Sequence, residues 1–182
     1  SRTGKRFPEI YQFELAIQSG GLSGPRYSVE QVVSELLHFE DYAAGQVIDL
    51  GTYAVTAAEI REFASEFDPL PFHLDEAAAR ASLLGGLAAS GWHVCSMLMR
   101  MIADSWLNKS ASMGSNGVSE VKWLKPVFAG ETLSGRVTIV SKRVSSRRPE
   151  MGIFECLFEL FNQEGVKKTE MTAVVFMRVK AA

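Results

Sequence analysis

The chain has 182 residues, 47% of them hydrophobic, with a formal net charge of −2. That length suits one compact domain plus an arm, with a core large enough to need no covalent staples. The near-neutral balance argues against nucleic acid as a partner, and two cysteines in apolar runs, Cys95 and Cys156, read as buried thiols in a reducing compartment rather than a zinc framework.

Residues 1–40 read as an N-terminal arm. Gly20, Gly21, Gly24 and Pro25 break any long element, and Val29, Val32, Val33, Leu36 and Leu37 predict a short amphipathic helix over about 28–38. The opening run SRTGKRFPEI lacks the apolar core of a signal peptide. No run reaches the roughly 20 apolar residues of a membrane span, so the expected location is the cytoplasm, with no membrane partner. The main domain is expected over 41–182. Residues 45–55 read as extended, with Val47, Tyr53 and Val55 packing inward.

In TAAEIREFASEF, Thr56 and Glu59 have the spacing of a capping box, and Ile60, Phe63, Ala64 and Phe67 form one apolar stripe. This helix must end near Asp68, because Pro69 disfavours helical geometry in the residue before it. A second, alanine-rich helix is predicted over 76–81, capped by Asp75. After the turn LGGLAA, residues 91–108 read as a helix apolar on nearly every face, hence buried. Residues 109–117 read as a polar loop. The last third changes to period two. VSEVKWLKPV, ETLSGRVTIV (Leu133, Val137, Ile139), GIFECLFELF (Phe154, Cys156, Phe158, Leu160) and 167–179 (Thr169, Met171, Ala173, Val175, Met177) predict at least four antiparallel strands. The fold class is α+β, an antiparallel sheet wrapped around a long central helix.

The chemistry concentrates in FDPLPFHLDEAAA. Pro69 and Pro71 fix two φ angles, so the loop holds its side chains with little slack. Asp68 and His73, five residues apart across the kink, can face one cavity, and a carboxylate beside an imidazole is suited to proton transfer near neutral pH. A plain turn, with Asp68 as a cap and His73 as a satisfied polar residue, accounts for the same residues equally well. No second cluster completes a metal site, since His93 lies on the buried helix and His38 in the arm. Ser90–Gly91–Trp92 opens that helix. Unpaired N–H groups at a helix start, with a glycine that admits close approach, can polarise a carbonyl oxygen.

FDPLPFHLDEAAARAS, GGLAASGWH with Gly91 eighteen residues after His73, and WLKPVFAGETL together resemble the MaoC-like dehydratases, relatives of the R-specific enoyl-CoA hydratases. The resemblance covers about 41–180. It implies a hot-dog fold, a homodimer, and an acyl-CoA substrate with no further cofactor. It places the catalytic pair on Asp68 and His73 and the oxyanion-hole glycine on Gly91, with Pro71 and Asp75 structural. The implied activity is reversible syn addition of water to a trans-2-enoyl thioester. One departure stands out: the family's polar residue before the second proline, usually Asn, is Leu70 here, which points to a different acyl chain or a slower enzyme. Lys122, Lys125, Lys142, Arg143, Arg147 and Arg148 are the candidates to meet coenzyme A phosphates. Two other readings stay open, a hot-dog thioesterase and a non-catalytic acyl-CoA-binding module.

Overall fold

The computed structural model describes residues 36–180. The helix expected over about 28–38 falls largely outside them. Within them, residues 36–38 are not helical: Leu37 makes an isolated parallel bridge with Ser110, and a 3-10 turn follows at Phe39–Asp41. Strand β1 spans Val47–Ala54, helix α1 Ala57–Phe67, α2 Pro71–Leu74, α3 Glu76–Ala81 and α4 Gly91–Ser105. A 3-10 turn at Leu107–Lys109 leads to β2 (Ser112–Gly114), β3 (Val118–Trp123), β4 (Thr132–Val144), β5 (Met151–Phe161) and β6 (Lys167–Arg178).

The strands form one antiparallel six-stranded sheet, in the order β1-β4-β5-β6. The outer edge of β6 is shared by β2, opposite Phe176 and Met177, and β3, opposite 169–173. The inward alternation predicted for β4, β5 and β6 is present: Leu133, Val137, Ile139, Phe154, Cys156, Phe158, Leu160, Thr169, Met171, Ala173, Val175 and Met177 are all buried. Glu159 is buried against the pattern because Arg136 and Lys167 both pair with it.

Helix α4 packs on the inner face of this sheet, and His93, Val94, Met97, Leu98, Met101 and Ile102 are its buried residues. It is not buried all round, as its composition had predicted. Trp92, Ser96, Met99 and Arg100 are exposed, so the helix turns one side to the sheet and the other outward. Gly135 on β4 lets it lie close: a Cβ there would come within 2.9 Å of Met101. Residues 109–117 are not all loop either, since β2 lies within them and pairs with β6.

Two packing expectations change. Val47 is 58% exposed and Leu50 is the buried residue of β1, because a bulge between Asp49 and Gly51 shifts the alternation. Phe67 lies outside the stripe of α1 and is exposed, while Ile60 and Ala64 are buried. Cys156 is buried, which pushes its thiol up to about 12, whereas Cys95 is only partly buried.

Candidate active site

The Thr56–Glu59 capping box forms as expected, and Glu59 also accepts the Tyr53 hydroxyl at 2.8 Å, tying the start of α1 to β1. At the other end Asp68 is the C-cap. Its φ of −150° and ψ of 68° leave helical geometry where Pro69 requires it, while its N–H still bonds the Ala64 carbonyl. The next segment is not the open loop expected from its prolines. Pro71 occupies the first position of α2, where a missing N–H costs nothing, and His73 rides on this single turn. Asp75 caps α3 by accepting the Ala78 N–H at 2.8 Å.

His73 is buried, and its Nδ1 lies 2.8 Å from the Ala88 carbonyl oxygen. A carbonyl only accepts, so Nδ1 carries the proton and donates it. In the neutral imidazole Nε2 is then the basic nitrogen. Nε2 faces Asp68 Oδ2 at 3.6 Å, too far for a direct hydrogen bond. The same Oδ2 accepts the Ser90 hydroxyl at 2.6 Å. Ser90 is the N-cap of α4, and its Oγ also accepts the Trp92 N–H at 3.3 Å. One buried hydroxyl therefore ties the carboxylate to the start of the central helix. The reading of the sequence assigned Ser90 no role. The signal was present, since a serine N-cap accepts with its oxygen and keeps its own proton to donate.

Gly91 is the first residue of α4, so its N–H has no intrahelical acceptor. The Trp123 ring lies on it: a Cβ at residue 91 would sit 2.6 Å from the ring. Together with His73, these residues line a pocket of about 290 Å³, whose other walls include Phe72, Leu84, Val94 and Thr169. Asp68 is not among the residues that line it.

The far wall, residues 123–127, is held by a polar network that begins in the GE of WLKPVFAGETL. Glu131 accepts from the Phe128 N–H, from Asn162 and from Lys168, and Lys168 also donates to the Pro126 carbonyl. Burial pushes the Glu131 carboxyl up, but the hydrogen bonds from Lys168, Asn162 and Phe128 outweigh it and hold the carboxyl below its ordinary range. Ala89 N–H bonds Val127 O, Ala129 N–H bonds Leu87 O, and Ala88 bridges Phe128. The carbonyl that orients His73 is thus fixed through this wall to β6.

The structure sets Asp68 within 3.6 Å of His73 and brings His73 and Gly91 to one pocket, but Asp68, expected to face the same cavity as His73, is not among the residues that line it. Leu70 is the N-cap of α2, exposed and without a side-chain capping bond. The basic candidates separate. Lys142 faces inward, donating to the carbonyls of Phe39 and Tyr42 with its ammonium 4.2 Å from the Phe39 ring centre, and is unsuited to phosphate. Lys122 pairs with Glu120 at 2.8 Å, while Lys125 lines the pocket and is exposed. Arg143, Arg147 and Arg148 are exposed around the β4–β5 turn. Among the described residues no three His, Cys, Asp or Glu side chains are grouped to hold a metal ion. No helix among them is long and apolar enough to cross a membrane.

A family model described as the MaoC like domain matches residues 40–153. The chain is similar to a MaoC-like dehydratase from Rhodospirillum rubrum of known structure, with 40% identity and a TM-score of 0.75, covering 80% of this chain and 99% of that one. It is similar to the uncharacterized protein YdeM of Bacillus subtilis strain 168, 26% identical over 134 residues, which is 74% of this chain and 94% of that protein. The R-hydratase PhaJ1 from Pseudomonas aeruginosa shares the fold, with a TM-score of 0.64 at 20% identity, covering 81% of this chain and 92% of that one.

Proposed function

The chain belongs to the MaoC-like domain family, with the hot-dog fold, and from that premise we propose that it is an acyl-thioester hydratase or dehydratase. The observation that carries this reading is the hydrogen bond between His73 Nδ1 and the Ala88 carbonyl oxygen. With Nδ1 donating to Ala88 O, Nε2 is a base aimed at the space beside the Asp68 carboxylate. A water molecule has two protons to donate, and Nε2 and Asp68 Oδ2 are two acceptors 3.6 Å apart. Held by both, it turns its lone pairs away from them, toward the pocket.

In the hydration direction the pair removes one water proton while the oxygen bonds to C3 of a trans-2-enoyl thioester. The electrons of the C2–C3 double bond move onto the thioester as an enolate, and its oxygen is stabilised by the Gly91 N–H. The pair returns the proton to C2 on the face that received the oxygen, which makes the addition syn. Dehydration is the reverse. The Ser90 hydroxyl holds Asp68 in place and keeps one lone pair of Oδ2 occupied. Coenzyme A is the carrier this reading assigns, with Lys125 at the pocket for its anionic part. A second copy of the chain completes the molecule as a homodimer, and the exposed Trp92, Trp123 and Leu124 beside the pocket are surfaces it would cover.

The test is loss of the ultraviolet absorbance of conjugated enoyl thioesters, from crotonyl-CoA upward, for wild type beside Asp68→Asn and His73→Gln. Loss in wild type, slower by about 10²-fold or more in both variants, is the expected result. Release of free thiol would replace this reading with thioester hydrolysis. Thermal stabilisation by acyl-CoA without any turnover would leave a binding protein.

A further inference from the structure

Three buried side-chain atoms find no hydrogen-bond partner among the described residues: His93 Nδ1, Trp106 Nε1 and Thr169 Oγ1. Of these three residues, Thr169 alone lines the pocket that holds His73 and Gly91. It is 1% exposed and lies on the inner face of β6. An unpaired buried hydroxyl is destabilising. The sheet offers it no side-chain acceptor. Its neighbours across the strands are Trp123 on β3 and Leu160 on β5, a donor and an alkyl group. Valine would fill the same space with no orphaned group.

Position connects this hydroxyl to the start of α4. The register sets Thr169 opposite Trp123, and the Trp123 ring lies directly on Gly91. Gly91, Trp123 and the orphan donor thus border one pocket. Every acyl thioester, whatever its chain, brings a carbonyl oxygen with two lone pairs into such a pocket. The Gly91 N–H occupies one of them.

We propose that the Thr169 hydroxyl donates to the other, as a second donor to the thioester carbonyl oxygen. This rests on the acyl-thioester reading above and extends its oxyanion site from one donor to two. The hydroxyl keeps its proton throughout. Its hydrogen bond strengthens as the carbonyl gains enolate charge, so it acts more on the transition state than on binding.

The experiment binds carbonyl-13C-labelled butyryl-CoA, a saturated analogue, to wild type, Thr169→Val and Thr169→Ser, and records the thioester stretch by difference infrared spectroscopy. The same three proteins are assayed with crotonyl-CoA. The expected stretch is lowered in wild type and Thr169→Ser and moves back toward the free value in Thr169→Val. The expected kcat falls on the order of 10²-fold in Thr169→Val with KM little changed, and Thr169→Ser restores most of it. Thr169→Val should fold at least as well as wild type, its thermal midpoint rising by about 2–4 °C as the orphaned group is removed. An unchanged stretch in Thr169→Val overturns the proposal, as does a change in KM alone, which would mean pocket shape. The infrared arm needs no turnover. A Thr169-dependent shift in a protein that hydrates nothing would sink the hydratase reading and keep the donor. Hydration by wild type and Thr169→Val alike would do the reverse. Failure of butyryl-CoA to bind would remove both.

Discussion

At the C-terminal end of α4, Trp106 is enclosed by Tyr42, Phe154 and Phe158, whereas at the N-terminal end Trp92 is 64% exposed and meets the edge of Trp123 beside an open pocket. The same helix supports both. At the closed end aromatic rings touch, with Phe39 stacked on Phe154, and Tyr42 closes the cluster by bonding Ser110, which bonds the Trp106 carbonyl. At the open end Ser90, Asp68 and His73 bond to partners that fix their direction, and they leave one face unpaired. The difference shows a division of labour along one element: packing at its tail holds the helix where its head can be left unsatisfied.

The sharpest test of that division is a double dissociation. Asp68→Asn and His73→Gln should lower turnover by about 10²–10⁴-fold and leave the denaturation midpoint close to wild type. Phe154→Ala, deep in the closed end, should cost about 3–5 kcal/mol of stability, while the folded fraction keeps its kcat. Urea melts beside steady-state rates read both, and a fall in kcat per folded molecule in Phe154→Ala would break the comparison. Gly91→Ala comes next. Its methyl must displace the Trp123 ring, so turnover should fall by roughly tenfold or more as the helix start is covered. Intrinsic fluorescence of Trp123 should shift in the same variant. A variant with normal turnover would remove the Gly91 N–H from the mechanism.

How far the sequence carried this picture depends on what each feature required. Asp68, His73 and Gly91 were legible because prolines and a helix-opening glycine mark their own backbone geometry. The strands β4 to β6 were legible because one buried face imposes strict alternation. Leu50 was not, since the bulge at Asp49/Gly51 is a backbone event that turns the pattern over without a change in composition. The one-turn α2 was hidden because Pro69 and Pro71 read as a loop, although Pro71 suits a helix start. Lys142 looked like a free surface cation. Its ammonium is instead held by the Phe39 and Tyr42 carbonyls and the Phe39 ring, 103 and 100 residues away in the chain, a contact no local pattern encodes. Ser90 was given only as part of the helix opening, because its bond to Asp68 spans 22 residues and depends on how α1 and α4 are set beside each other.

Asp75→Ala should cost about 1 kcal/mol of stability through the lost cap on α3 and change kcat little, because Asp75 bonds Ala78 and stands clear of His73. Chemical denaturation of this variant against Asp68→Asn separates two aspartates seven residues apart into structural and functional ones. A large loss of turnover in Asp75→Ala would place it in the site.

The smallest expected effect concerns His93, which lies at the open end yet belongs to the packing. Its ring stacks on Phe63 at 4.6 Å, and it is buried. Burial disfavours its charged form and lowers its pKa below the ordinary value, against a weaker opposing pull from Glu59. The unfolded chain therefore binds a proton at this residue more readily than the folded one. The contribution is fully present above the ordinary histidine value of about 6.5 and is lost as pH falls from there through the folded pKa. Replacement by phenylalanine keeps the stacked ring and removes the titration, so His93→Phe should flatten the slope of unfolding free energy against pH just below neutrality. The carboxylates Glu59, Glu131 and Glu159, also held low, act in a more acidic window and do not mask it. If the slope survives unchanged, His93 is already protonated in the folded protein. The open end of α4 would then carry a charge that its packing does not account for.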